Sequence, residues 1–218
     1  MINLIDKDYF IGELAIPNVT DTDISGLLDK YIADCQEKIL LDLLGSDLYL
    51  AFEAGLALAP GSQLQKWKDL RDGKTYTVDY NGSTFSVKYK GLFNTTTKKS
   101  ILAYFVYFYF ARDGYVQLIG NGASVSKYEN SDGVTPNQKI IPMYNKGIEM
   151  YGNPARLKEW ANDAIYIYGS DLPIFNNVPS DNLKANCYNF LLAMNEADST
   201  TYPNWVFKKK NWLNTFGI

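Results

Sequence analysis

Ile101 to Ala111, ILAYFVYFYFA, is an unbroken run of eleven apolar or aromatic residues between Lys98–Lys99 and Arg112–Asp113. Few arrangements can house it. A bilayer span needs about 20 such residues, so the run is too short to cross a membrane. Its aromatics and Val106 suit a pleated strand, but the length of the segment favours a helix. With Thr95–Ser100 in front and Gly114 behind, the pattern predicts a helix over residues 95–113. Gly114 then takes the C′ position, and Arg112 sits near the negative end of the dipole. A helix that is apolar on every side has to be surrounded by other elements. The expected fold is therefore mainly α, a helical bundle around this central helix. Its tyrosines call for a partly wet setting, because a buried hydroxyl needs a partner.

The absence of histidine narrows the chemistry. It removes the commonest general base, the Ser–His and Cys–His nucleophile pairs, and most catalytic zinc sites. At 218 residues the chain can bury a proper core, with one domain the default. A net charge of −3 gives no general reason to bind nucleic acid or an anionic membrane. Seventeen tyrosines favour interfaces, since Tyr supplies rigid contact area with a polar handle. Cys35 and Cys187 each fall on an apolar helical stripe, and buried free thiols are expected there, which fits a cytoplasmic history. The start, MINLIDKDYF, lacks a basic region followed by an apolar core, so no secretory signal is expected.

Along the chain, Leu4–Ile16 reads as an apolar lead-in closed by Pro17–Asn18, and Thr20–Asp23 supplies cap chemistry. Ile24, Leu27, Leu28, Tyr31, Ile32, Cys35 and Ile39 recur at helical spacing and predict a helix to Leu44, stopped by Gly45. Ser46 or Asp47 opens a second helix with Leu48, Tyr49, Phe52 and Leu56 as its buried stripe. Ser62 caps a third, carrying Leu64, Trp67 and Leu70 and ended by Gly73. Then the period changes to two. Lys74–Tyr80 and Ser83–Lys90 flank Asn81–Gly82, a strong hairpin signal that places Val78 opposite Phe85 and Tyr76 opposite Val87. Such a hairpin, inserted at about 74–90, must pack on the helices or on a neighbouring subunit.

Beyond the central helix, Gly120–Asn121–Gly122 reads as a turn, and Ser124–Lys139 as a long loop. Pro142–Tyr151 and Pro154–Tyr168 predict two helical segments, Leu172–Pro179 a connector, and Ser180 or Asp181 the opening of a last helix through Leu183, Cys187, Phe190, Leu191 and Met194. Residues 1–201 form the helical domain on this reading, and 202–218 an extended aromatic and basic arm. That arm docks either on its own domain or on a partner. Asp69, Asp72 and Asp79 read as surface carboxylates whose spacing matches no calcium loop. Lys208–Lys210 with Trp205 and Trp212 has the mix of charge and stacking groups of single-strand nucleic-acid sites, though the patch is small. No catalytic, cofactor-binding or metal-binding residues are expected.

LIDKDYF, the helix LLDKYIADCQEKILLDLLGSDLYLAF, the W-KDLRDGKTY stretch and KKSILAYFVYFYFARD, in that order, resemble the head-to-tail connector (adaptor) family of tailed bacteriophages. The likeness is to versions from phages of Bacteroides-type hosts. It is carried by Tyr31–Ile32 with Gln36, by Leu44–Gly45 before Leu48–Tyr49, and by the aromatic helix followed by Gly114. It covers roughly Leu4 to Lys127; the hairpin and the long C-terminal part depart from the short members. The resemblance implies a structural virion protein of the neck, assembled in the host cytoplasm as a dodecameric ring. The ring joins portal to tail, with a further neck or tail protein below, and DNA passes through it without sequence-specific binding.

A closed ring needs heterologous side-to-side contacts. The hairpin and long loop nominate Tyr76, Tyr80, Phe85, Tyr89 and Tyr128 for these. In related adaptors the C-terminal segment reaches the portal, which nominates Trp205, Phe207, Lys208, Lys209, Lys210, Trp212 and Phe216. Alternatives are a stopper or terminator of the neck, a membrane-associated protein using Ile101–Ala111, and a carboxylate-dependent hydrolase.

Overall fold

A computed structural model describes residues 3–80, 83–119, 122–125, 137–152, 183–203 and 205. Helix α1, Thr22–Leu44, is capped by the Asp21 carboxylate, which accepts from Asp23 N at 3.0 Å. It stops at Gly45, whose φ of 80° is a conformation that only glycine adopts without strain. Leu28, Ile32, Gln36, Ile39, Leu40, Leu43 and Leu44 form its buried face. Gln36 Oε1 accepts from Leu4 N at 2.7 Å, pinning the lead-in, whose Ile5, Tyr9, Phe10 and Leu14 close over the core. Leu27, expected on the buried stripe, is instead exposed.

Helix α2, Ser46–Ala57, follows at once, and α3, Gln65–Asp72, ends at Gly73. The Ser62 cap does not form: α3 starts after Leu64, whose side chain is exposed. Strands β1 (Lys74–Tyr80) and β2 (Ser83–Tyr89) pair antiparallel with Val78 opposite Phe85 and Tyr76 opposite Val87, the register expected from Asn81–Gly82. Tyr76, Val87 and Tyr89 are buried while Thr75, Thr77 and Lys88 are exposed. Gly73 and Gly91 meet at the base of this hairpin. A Cβ on Gly73 would lie 2.5 Å from Tyr89 O, and one on Gly91 2.5 Å from Arg71 O.

The short strands β3 (Phe93–Asn94) and β4 (Lys99–Ser100) precede the central helix α4, Ile101–Tyr115. This corrects the expected start at residue 95. Ser100 Oγ accepts from Leu102 N at 3.1 Å and donates to Leu92 O at 3.0 Å, so the cap lies at Ser100 and the preceding residues turn. Gly114 is likewise inside the helix rather than beyond its end. Every residue from Ile101 to Phe108 is buried, as a run apolar on all sides requires. Tyr31 of α1 packs edge-on to Phe110, and its hydroxyl donates to Asp113 Oδ2 at 3.3 Å.

The expected long loop after α4 is partly structured. Strands β5 (Val116–Ile119) and β6 (Gly122–Val125) form a second antiparallel hairpin. Helix α5, Asn137–Tyr151, begins earlier than Pro142 and packs on α4 through Tyr144 against Phe105 and Phe108. The Tyr151 hydroxyl donates to Leu43 O, tying α5 to α1. The segments expected over 154–168 and 172–179 lie outside the described residues. Leu183–Ala185 is strand β7, parallel to β2, and not the start of the last helix. That helix, α6, spans Cys187–Ala197 and is capped by Asn186 Oδ1, which accepts from Asn189 N at 2.9 Å. The fold is thus mainly α with an inserted hairpin that β7 extends to a three-stranded sheet. Phe190 of α6 stacks on Tyr89 with centroids 4.3 Å apart. Cys187 is buried, Cys35 half-buried, and both are free. No helix among the described residues is long and apolar enough to cross a membrane.

Candidate functional site

Three of the nominated contact residues belong to the protein's own core. The Tyr76 and Tyr89 side chains point onto α6, and the Tyr89 hydroxyl donates to Leu70 O at 3.2 Å. Burial pushes both phenols well above the ordinary tyrosine range. Trp205 is 1% exposed: its indole stacks on Trp67 at 6.1 Å and meets Phe190 at 5.6 Å and Tyr202 at 4.7 Å. In the described fold these rings pack against the chain's own helices and strands. The reason is local. Asp198 accepts from Thr200 N and Thr201 N, and Asn195 Nδ2 donates to Tyr202 O at 2.9 Å. Lys66 Nζ donates to Thr201 O at 2.8 Å, so the chain is folded back over α3 before it reaches Trp205. Phe207, Lys208, Lys209, Lys210, Trp212, Phe216 and Tyr128, with the side chains of Tyr80 and Phe85, lie outside what the structure describes.

Asp69, expected at the surface, is buried. Its carboxylate pairs with Lys74 Nζ at 3.0 Å and accepts from Gln65 Nε2 at 2.7 Å, joining α3 to β1. Burial of the Lys74 ammonium works to lower its pKa, but the hydrogen bond and charge of Asp69 outweigh this and hold it above the usual lysine range. Asp72 is exposed and paired with Arg71 at 2.7 Å; the side chain of Asp79 is not described. Among the described residues no group of three or more His, Cys, Asp or Glu is placed to hold a metal ion.

A different surface stands out. Helix α2 buries Leu48, Tyr49, Phe52, Gly55 and Leu56 against the rest of the fold. Phe52 meets Trp67 at 6.1 Å, and Trp67 lies so close to Gly55 that a Cβ there would fall 2.1 Å from its Cδ1. The Tyr49 hydroxyl is pushed up to about 12 by burial and the neighbouring Glu53 and Glu37 carboxylates. The opposite side should be polar. Its exposed positions, continued to the residue after the helix, are Ser46, Asp47, Leu50, Ala51, Ala54, Ala57 and Leu58. Only the first two are polar. Leu50 is 59% and Leu58 49% exposed. A helix apolar on both faces is normally covered on both. Ile11, Leu27 and Leu64 are also exposed, but none of them lies on this helix face.

Sequence reasoning took only the Leu48, Tyr49, Phe52 and Leu56 stripe from this helix. The missed signal was the second apolar stripe, disguised because three of its five members are alanines. Comparison of the chain with protein-family models, with curated proteins and with solved structures gave no match.

Proposed function

We propose that this chain is a structural assembly subunit of a tailed-bacteriophage neck, forming a ring between portal and tail through which DNA passes. Two things support this. The motifs from Leu4 to Lys127 resemble the connector family, and the apolar outer face of α2 is what an assembly protein needs and an isolated domain does not. The α2 face carries the reading. Five apolar side chains on one exposed helix face would lose their contact with water when a neighbour docks, and that gain drives assembly. An acidic balance suits a channel that must let DNA slide, since fixed phosphate contacts would hold it.

The test is quantitative mass spectrometry of purified particles with the portal protein as copy-number standard. A fixed integral ratio to the portal supports a neck ring; absence from the particle overturns the proposal.

A further inference from the structure

We infer that the partner across α2 is a second copy of this chain, paired through an antiparallel two-fold contact centred on Ala54. This rests on α2 being the assembly surface. The apolar face is symmetric in sequence. Leu50 and Leu58 stand four residues to either side of Ala54, and Ala51 and Ala57 three residues to either side. All five are exposed. A second α2, antiparallel and turned about a two-fold axis beside Ala54, sets Leu50 against the second copy's Leu58 and Ala51 against its Ala57. Alanine meets alanine at the axis. The same patch then serves both copies, as an isologous contact requires.

Size and charge agree with this pairing. Small side chains at the centre let two helices approach to about 8 Å, and the leucines at the ends interlock. Antiparallel helix dipoles also attract. The exposed positions from Leu50 to Leu58 carry no charge; the nearest acids are Glu53, half-buried at the flank, and Asp47, one turn before Leu50. Residues 206–218 follow Trp205, whose ring is held one ring away from α2 through Trp67, and are the competing occupant that the test separates. Nothing in their order mirrors the stripe, whereas α2 mirrors itself.

The contact is small. A 12-residue helix is about 18 Å long, so the pair would bury on the order of 400 Å² per copy, half of the roughly 800 Å² of a standard interface. Self-association is therefore weak and concentration-dependent. A two-fold contact closes at two copies and does not extend into a ring. The pair is the form of the subunit off the particle, shielding α2 until a ring neighbour takes the same face.

The test is cysteine cross-linking in the full chain. A residue beside the two-fold axis bridges to itself, so Ala54→Cys should give a covalent dimer on mild oxidation where the unchanged chain gives none. Leu50→Cys alone should not, because its own copy lies about 12 Å away along the pair, beyond the roughly 7 Å reach of a disulfide. Leu50→Cys with Leu58→Cys should again give dimer. Near-ultraviolet circular dichroism verifies that each variant is folded. Failure of Ala54→Cys to cross-link overturns the pairing, as does equal cross-linking by Leu50→Cys alone. Cross-linking that appears only after residues 206–218 are removed would assign the face to that segment and overturn it too. Dimer formation by a chain absent from particles would keep the pairing and sink the neck proposal. Presence in particles without a covalent dimer of the Ala54→Cys variant would do the reverse.

Discussion

Gly55→Ala separates the local from the tertiary view of α2. In a bare helix interior the change gains about 1 kcal/mol, because glycine gives up more backbone freedom on folding. Here the new methyl would fall 2.1 Å from Trp67 Cδ1 and 2.2 Å from Nε1. Carbon atoms pack at about 3.5–4 Å, so the indole has to move by about 1.5 Å. It has little room. Trp67 is 6% exposed, stacked on Trp205 and set against Phe52, with the Lys66 ammonium 4.7 Å above the ring. Overpacking of this kind costs about 1–3 kcal/mol, and loosening the tryptophan stack about 0.5–1.5 kcal/mol more. Net of the propensity gain, Gly55→Ala should destabilise by about 1–3 kcal/mol. Urea unfolding followed by circular dichroism and tryptophan fluorescence measures this. In a Trp67→Leu background the clash is relieved, and the same change should become neutral or stabilising. A Gly55→Ala chain as stable as the original, or more so, would refute the packing assigned to Trp67.

Trp205→Ala should cost about 3–5 kcal/mol, the usual penalty for emptying a buried tryptophan site. Truncation after Tyr202 removes the same ring and should lower the melting temperature at least as much as Trp205→Ala does. Lys74→Met leaves the Asp69 carboxylate buried with Gln65 as its remaining donor among the described contacts, and should cost about 2 kcal/mol after allowing for the exposed end of the lysine. Asp69→Asn keeps shape and hydrogen bonding and should cost less, about 1 kcal/mol; the reverse order in urea unfolding would contradict the buried pair. Burial pushes the Cys187 thiol up from 9.0 to about 12, and the Tyr49 phenol is raised from 10.0 to about 12. Groups whose folded pKa is raised stabilise fully below their unfolded values and lose that contribution as pH climbs toward the folded ones. The melting temperature should therefore decline between about pH 9 and pH 12, and a thiol reagent at pH 8 should modify Cys35 while sparing Cys187. Modification of both thiols in folded protein would contradict the burial of α6.

What could be read from the sequence was what local chemistry decides. Gly45 ends α1 because its positive φ suits glycine, and reading Asn81–Gly82 as a two-residue turn predicts the register that β1 and β2 show. The burial of Ile101–Phe108 follows from having no polar face. What was missed depended on distant partners. The start of α4 was misplaced because the Ser100 cap is completed by Leu92 O, across a turn. Leu183–Ala185 carries helical-looking residues, but β2 supplies a parallel strand to pair with. Asp69 looked solvated until Lys74 and Gln65 closed over it. Whether Trp205 docks on its own domain or on a partner stayed open, because nothing in Tyr202–Ile218 announces that Trp67 and Phe190 leave a place for its ring. The exposed stripe of α2 escaped notice because alanine carries little weight in any apolar pattern.

The most direct measurement is the copy number of Ala54→Arg chains in purified particles, set against the portal and against the unchanged chain in a parallel preparation. Arginine at an exposed helix position leaves the fold intact, which the melting temperature checks, while placing a charge in the middle of the apolar face. If α2 is the surface by which this chain assembles, the unchanged chain is present at a fixed ratio to the portal and the folded variant is lost from the particle. Incorporation of the variant at the unchanged ratio would contradict that role.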